Sequence, residues 1–332
     1  MVLARLPHKV IFDTDPGVDD AMALYFALAH PDIDIVGIST TFGNVTVDQA
    51  AINACYLTTL AARAIPVSRG ACAPLVLPVQ ASPAHIHGAD GLGDLPTRLT
   101  VKSGLDVRPS AQFIVDLARA HPGELSLVAV GPLGNLSLAL DLEPRLPQLL
   151  REVILMGGTI IEPGNVSAVA EANIWNDPHA AARVFGAGWK LTMVGLDVTH
   201  KVLLPLALFE RLAQHHWHPA TDTLLHAARF YTNFCVQESP HLADQHACFG
   251  HDVLAFIYLV NPELFKVAHR AIEVVTSGPA IGQTRFKPHS GAALPPGSGQ
   301  TPQPPAQVCM QVQAEACTTL FERTLRRPWL HS

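Results

Sequence analysis

The stretch VIFDTDPGVDDAMAL, Val10 to Leu24, runs from an apolar strand through a tight turn into a helix. Val10, Ile11 and Phe12 are the β-branched and aromatic residues of a buried strand. Pro16-Gly17 breaks it. From Val18 the composition turns helical, and the pattern continues to His30-Pro31, where the proline stops it. A strand passing straight into a helix is the first half of a βαβ unit.

The alternation repeats downstream. DIDIVGISTTFGN reads as a second strand, and TVDQAAINACYLTTLAAR as a helix with Thr46 as N-cap. PVSRG reads as a short strand and SAQFIVDLARAHPG as a helix. LSLVAVG, EVILMGG and KLTMVGLDV are further strands, with helices at PLGNLSLALDLEP and NDPHAAARVFGAG between them. This order predicts an α/β fold with an open, Rossmann-like, mostly parallel central sheet flanked by helices. Such sheets bind ligands at the carboxyl ends of their strands. The polar clusters DTDPGVDD, TTFGN, GPLGN, MGG and DVTH all fall there.

After about residue 200 the pattern becomes a helical C-terminal portion. LALFERLAQHH, ATDTLLHAARFYTNFCVQ and HDVLAFIYLVNPELF read as helices, and HRAIEVVTSG and QVCMQVQ as strand-like pieces. Residues 287–306, rich in Pro, Gly and Ser, read as a surface loop. No repeat and no boundary divides the 332 residues, which read as one domain.

Hydrophobic residues make up 48% of the chain, enough for a large core, and the formal net charge is −6. That balance argues against a nucleic-acid polymer or an anionic membrane as partner. No apolar run is long enough to span a membrane, and no signal peptide is evident. The six cysteines form no CxxC pair and read as free thiols of a reducing cytosol.

Against this background the density of Asp13, Asp15, Asp19 and Asp20 stands out. Acidic residues gain about 0.3–1 kcal/mol in the first turn of a helix, which covers Asp19 and Asp20 only. Four adjacent carboxylates raise one another's pKa and cost stability, and a hard cation such as Ca²⁺ or Mg²⁺ reverses that penalty. An EF-hand loop counted from Asp13 would need Gly and Glu where Val18 and Leu24 stand. The strand followed by D-x-D resembles the aspartyl-phosphate phosphatases, yet no later strand ends in the acidic pair that family uses.

A third resemblance extends much further. DTDPGVDDA is similar to the N-terminal signature of the calcium-dependent, inosine-uridine preferring nucleoside hydrolases. TTFGN, HGADGLG, GPLGN, ILMGG, GNVSAVAEANIWNDPHAA and HDVLAFIYLVNPELF resemble that family's later segments, in order, over roughly residues 8–285. The resemblance implies hydrolysis of ribonucleosides to ribose and free base. It implies Ca²⁺ held by Asp15, Asp20, Asp252 and the backbone carbonyl of Gly134, with Asp15 also the general base on a metal-bound water. Asp19 would bond a ribose hydroxyl with Asn44 nearby, and Asn165, Glu171, Asn173 and Met156 would hold the rest of the sugar. Asp13 would support the turn. A homodimer or homotetramer in the cytoplasm is implied as well.

These residue types suit the reaction. An oxocarbenium-like state is stabilised by carboxylates along the sugar, and a cation can orient a ribose diol. Attack by water rather than by a carboxylate predicts inversion at C1′. His251, beside Asp252, is the first candidate for donating a proton to the leaving base, and His87 the second. Tyr231 could reach the base and Trp175 could stack on it. Ala172 stands where the family often has an aromatic residue. The rival readings are a phosphatase of the aspartyl-phosphate type and a nucleoside- or ribose-binding protein without turnover.

Overall fold

The computed structural model describes residues 6–98, 104–215, 217–239, 242–288 and 305–330. The first half of the chain runs β1 (His8–Thr14), α1 (Val18–Ala29), β2 (Ile33–Thr40), α2 (Val47–Leu60), β3 (Val67–Arg69), α3 (Ala84–His87), β4 (Leu105–Asp106), α4 (Ser110–Ala120), β5 (Leu125–Ala129), α5 (Gly134–Leu142) and α6 (Leu146–Leu149). Then come β6 (Glu152–Met156), α7 (Ala172–Asn176), α8 (Pro178–Gly186), β7 (Leu191–Val194), α9 (Leu196–Thr199), β8 (Leu203–Pro205), α10 (Leu206–His215) and α11 (Pro219–Glu238). The chain finishes with β9 (Ala247–Phe249), α12 (Val253–Val260), β10 (Phe265–Arg270), β11 (Ile272–Val274), β12 (Thr284–Phe286), β13 (Ala306–Val312) and α13 (Ala314–Leu325).

Nine strands make the central sheet, in the order β10-β13-β7-β6-β5-β1-β2-β3-β4. All pairings are parallel except β10 with β13. From β1 the chain winds outward through β2, β3 and β4, then returns to β5 on the other side of β1 and winds outward again. The reversal of direction opens a crevice at the carboxyl ends of β1 and β5, where open α/β sheets take their ligands. Asp15 is the first residue beyond Thr14, the last of β1, so it lies at that crevice.

Alternation along β1 divides the core. Val10 and Phe12 belong to one apolar layer with α1, α11, α12 and α13, while Ile11 belongs to the other with α4, α5 and α8. Phe12 meets Phe256 of α12 at 5.0 Å between ring centroids, which seats the start of α12 over the end of β1.

Thr46 caps α2 as expected, its hydroxyl accepting from the Gln49 N–H. The strand-like pieces expected in the C-terminal portion are strands: HRAIEVVTSG carries the end of β10 and all of β11, and QVCMQVQ supplies most of β13, which enters the central sheet between β10 and β7. The helix α13 was not expected. It buries Cys317, Leu320, Phe321 and Leu325, and Phe321 stacks on Phe26 of α1. Most of the segment expected as a surface loop, 289–304, lies outside the described residues. Among the described residues no helix is long and apolar enough to cross a membrane.

Candidate active site

The turn between β1 and α1 is folded by Asp20. One of its carboxylate oxygens accepts from the Thr14 hydroxyl and from the Asp15 N–H at 3.3 Å. The other accepts from the Gly17 N–H at 2.8 Å and from the Asn44 side chain at 3.0 Å. Asp15 Oδ2 accepts from the Asn44 N–H at 2.7 Å, while Oδ1 has no partner among the described residues. Two glycines wall this carboxylate. A Cβ on Gly43, whose φ is 152°, would stand 2.0 Å from Asp15 Oδ2, and one on Gly131 would stand 2.6 Å from Oδ1.

Asp252 stands at the N-cap position of α12, without a side-chain capping bond, and arrives beside this turn from a distant stretch of chain. Oxygens of Asp19, Asp20 and Asp252 lie within 4.8 Å of one another, and all three residues are buried. Oδ1 of Asp19 and Oδ2 of Asp252 have no hydrogen-bond partner among the described residues. Burial, then the neighbouring Asp20, pushes the Asp19 carboxyl up to about 8. Burial and the adjoining carboxylates hold Asp15 and Asp252 well above the usual range. In the bare protein these groups favour protons. Unpaired, buried, converging carboxylate oxygens are a donor set that fits a hard cation.

The close trio differs from the expected ligands, since Asp19 stands in it and Asp15 flanks it. Gly134 opens α5 in the GPLGN turn. Another residue of that turn, Gly131, abuts Asp15. Asp13, near the end of β1, is tied to β2 and α5. It accepts from Asn135 at 2.7 Å and from Ser39, and burial pushes it up to about 7.

On the other side of the crevice, Glu171 caps α7 by accepting from the N–H groups of Asn173 and Ile174, and it also accepts from Gly158. Its charge adds, after larger causes, to the upward shift of Asp19 and Asp252. The Asn173 amide donates to the carbonyls of Val130 at 2.8 Å and Met156 at 3.1 Å. These bonds tie Asn173 to the ends of β5 and β6. Asn165 is exposed and accepts from the Ala172 N–H at 3.0 Å. The Cα and Cβ of Trp175, on α7, lie against Gly282, where a Cβ would stand 3.0 Å and 3.2 Å from them.

His87 is buried with Nδ1 accepting from the Val18 N–H at 3.3 Å. A backbone N–H can only donate, so the neutral ring carries its proton on Nε2. Tyr231 of α11 stacks beside it, with centroids 6.4 Å apart. His251 Nδ1 meets the Thr199 hydroxyl at 2.8 Å, and its ring stands edge-on to His200. Burial pulls both His87 and His251 down to about 3, so both are neutral near pH 7. Sequence reasoning missed Gly131, Asn135 and Thr199. DVTH and GPLGN were noted as strand-end clusters, which was the available signal, but which member touches the site depends on the fold. Asp197 of DVTH accepts from the N–H groups of Ile160, Ile161 and Glu162 and pins the loop that leads to Asn165.

The model of the inosine-uridine preferring nucleoside hydrolases matches residues 10–319. The chain belongs to this family. An inosine-uridine preferring nucleoside hydrolase of Leishmania major is 36% identical over 277 residues, covering 82% of this chain and 85% of the relative. A solved plant nucleoside hydrolase superposes with a TM-score of 0.88 at 32% identity, over 97% of this chain and all of that one. A purine-preferring ribonucleoside hydrolase from Gardnerella vaginalis gives 0.86 at 30%, over 96% and 98%. The protein is thus a nucleoside hydrolase, an enzyme acting on N-glycosyl compounds, in a metal-dependent family, with an aspartate cluster able to hold a metal. The phosphatase and non-catalytic readings are not favoured.

Proposed function

We propose that the protein hydrolyses the N-glycosidic bond of ribonucleosides to ribose and free base, with inversion at C1′, and that its metal is Ca²⁺. The observation that carries this reading is the group of buried carboxylate oxygens left without partners on Asp15, Asp19 and Asp252. Asp15, Asp20 and Asp252 would hold the ion, with Asp19 within reach. Bound there, Ca²⁺ would supply charge that acidifies a water and a centre that orients the ribose diol.

The protein's own groups do the rest. Asp15 is anchored through Oδ2 by the Asn44 N–H, so Oδ1 is the oxygen that takes a proton from the attacking water. Asp19, with Oδ1 unpaired, accepts from a ribose hydroxyl. Asn173, fixed by two carbonyls, presents Oδ1 to the sugar, and Asn165 and Met156 complete its cradle. Glu171 contributes negative charge to the developing oxocarbenium. His87 offers Nε2–H, and His251, held by Thr199, offers its second ring nitrogen; these are the groups proposed to assist the departing base, with Tyr231 beside them. A homodimer or homotetramer in the cytoplasm is the proposed assembly and location, which light scattering and cell fractionation check.

The test is a panel of inosine, uridine, cytidine and adenosine with reducing-sugar detection, with and without a calcium chelator. Chelator-sensitive ribose release, restored by Ca²⁺, is expected. Silence toward every natural ribonucleoside would remove the reading.

A further inference from the structure

We infer that Asn53 is a positioning residue that ties the aspartate turn to the glycine-rich turn carrying His87 and sets the spacing between them. The inference rests on the reading that the first turn holds Ca²⁺ and the second faces the leaving base. Asn53 lies on α2 and is fully buried. Its amide donates to the Pro16 carbonyl at 2.8 Å, inside the aspartate turn, and to the Asp90 carbonyl at 2.9 Å, three residues after His87. Its oxygen accepts from Gln49 Nε2 at 2.8 Å and from the Arg98 guanidinium at 2.7 Å. Every hydrogen-bonding position of the amide is used.

Both turns need that donor. The first intrahelical bond of α1 runs from Ala21 to the Gly17 carbonyl, which leaves the carbonyl of Pro16 outside the helix. The Asp90 side chain folds the second turn on itself by accepting from the N–H groups of Leu92, Asp94 and Leu95. Its own backbone carbonyl then points outward to Asn53. Gly91, with φ +80°, marks the junction: a Cβ there would stand 2.7 Å from Asn53 Nδ2 and 3.0 Å from the Pro16 carbonyl oxygen. The bond from the Val18 N–H to His87 is a second strut between the same two turns. Cutting the Asn53 strut leaves two backbone carbonyls without their donor, and each such loss is costly in a dry site.

The experiment uses the full chain with Asn53→Asp, which keeps size and acceptor but cannot donate, with Asn53→Ala as a second variant and Gln49→Ala as a control that spares both donated bonds. Hydrogen exchange is followed on the metal-free protein. In both Asn53 variants, residues 15–20 and 88–95 should exchange faster together, by about tenfold or more, with β5 and β6 unchanged. Ca²⁺ affinity, measured by calorimetry, should fall about 10–100-fold, as for other partners that orient ligands. The control should match the wild type in both readouts. Acceleration of one turn alone, of neither, or of the whole protein with Ca²⁺ affinity intact would each overturn the inference. A wild-type enzyme that releases no ribose would instead remove the functional reading, and the exchange result would still decide whether Asn53 couples the turns.

Discussion

At the amino ends of the central strands, Lys9 meets Glu124 at 2.8 Å and Lys190 meets Glu152 at 3.0 Å, with the lysine side chains 39% and 60% exposed. At the carboxyl ends, Asp15, Asp19, Asp20 and Asp252 are buried, and among the described residues no Lys or Arg pairs with them. The first set is charge neutralised within the chain and wetted by solvent, which contributes little to stability. The second is charge concentrated where solvent screens it least and left for something outside the chain to neutralise. The fold carries both on one sheet because the crevice lies at one end only.

Breaking the uncompensated end should give the largest effects. Asp15→Asn keeps the shape and the bond from the Asn44 N–H but removes the proposed base. Steady-state assays on the best nucleoside should show kcat lower by about 10²–10⁴-fold, the range for a positioned general base. Wild-type turnover in this variant would put the base elsewhere. Asp252→Asn should weaken Ca²⁺ by more than the roughly 100-fold upper range for an outer partner, read by calorimetry on the stripped enzyme. An unchanged affinity would show that the trio is not the cation site.

A pH series sharpens the same comparison. With its folded value at about 8, Asp19 keeps a proton in the metal-free native state that the unfolded chain has lost. Asp13, at about 7, acts in the same direction. The native state then binds more protons than the unfolded one, so these groups lower stability as pH rises from about 4 toward 8. His87 and His251, at about 3, act oppositely, but only below about 6.5, where the unfolded imidazoles are charged. Between pH 6.5 and 8 the carboxylates act alone. Calorimetry should show the metal-free Tm falling across that interval and saturating Ca²⁺ removing most of the slope. A flat metal-free profile would mean that the cluster is solvated. The smallest effect is expected at the other end of the sheet, where Lys9→Ala should leave kcat and Ca²⁺ affinity at wild-type values.

What could be read from the chain follows from how local each signal is. The βα alternation was legible because parallel strands covered on both faces show as unbroken apolar runs. The entry of β13 between β10 and β7 was not, since strand order is a pairing between distant segments. α13 follows that strand with little warning; its buried Cys317 and Phe321 find their partners on elements far away in sequence. In the site, the four aspartates announced themselves by density alone. Asp252 came only through family likeness. Gly131, Asn135 and Asn53 carry no chemical mark of their own, because each acts through what the fold sets beside it.

The insertion of β13 has a consequence for how the enzyme comes into being. Asp15 and Asp20 leave the ribosome early and Asp252 late, and the strand that joins β10 to the rest of the sheet is made later still. A nascent chain can hold every carboxylate of the cluster and still lack the seam that fixes the sheet beneath α12. The sheet that carries the aspartate cluster is therefore completed only once synthesis has passed Val312.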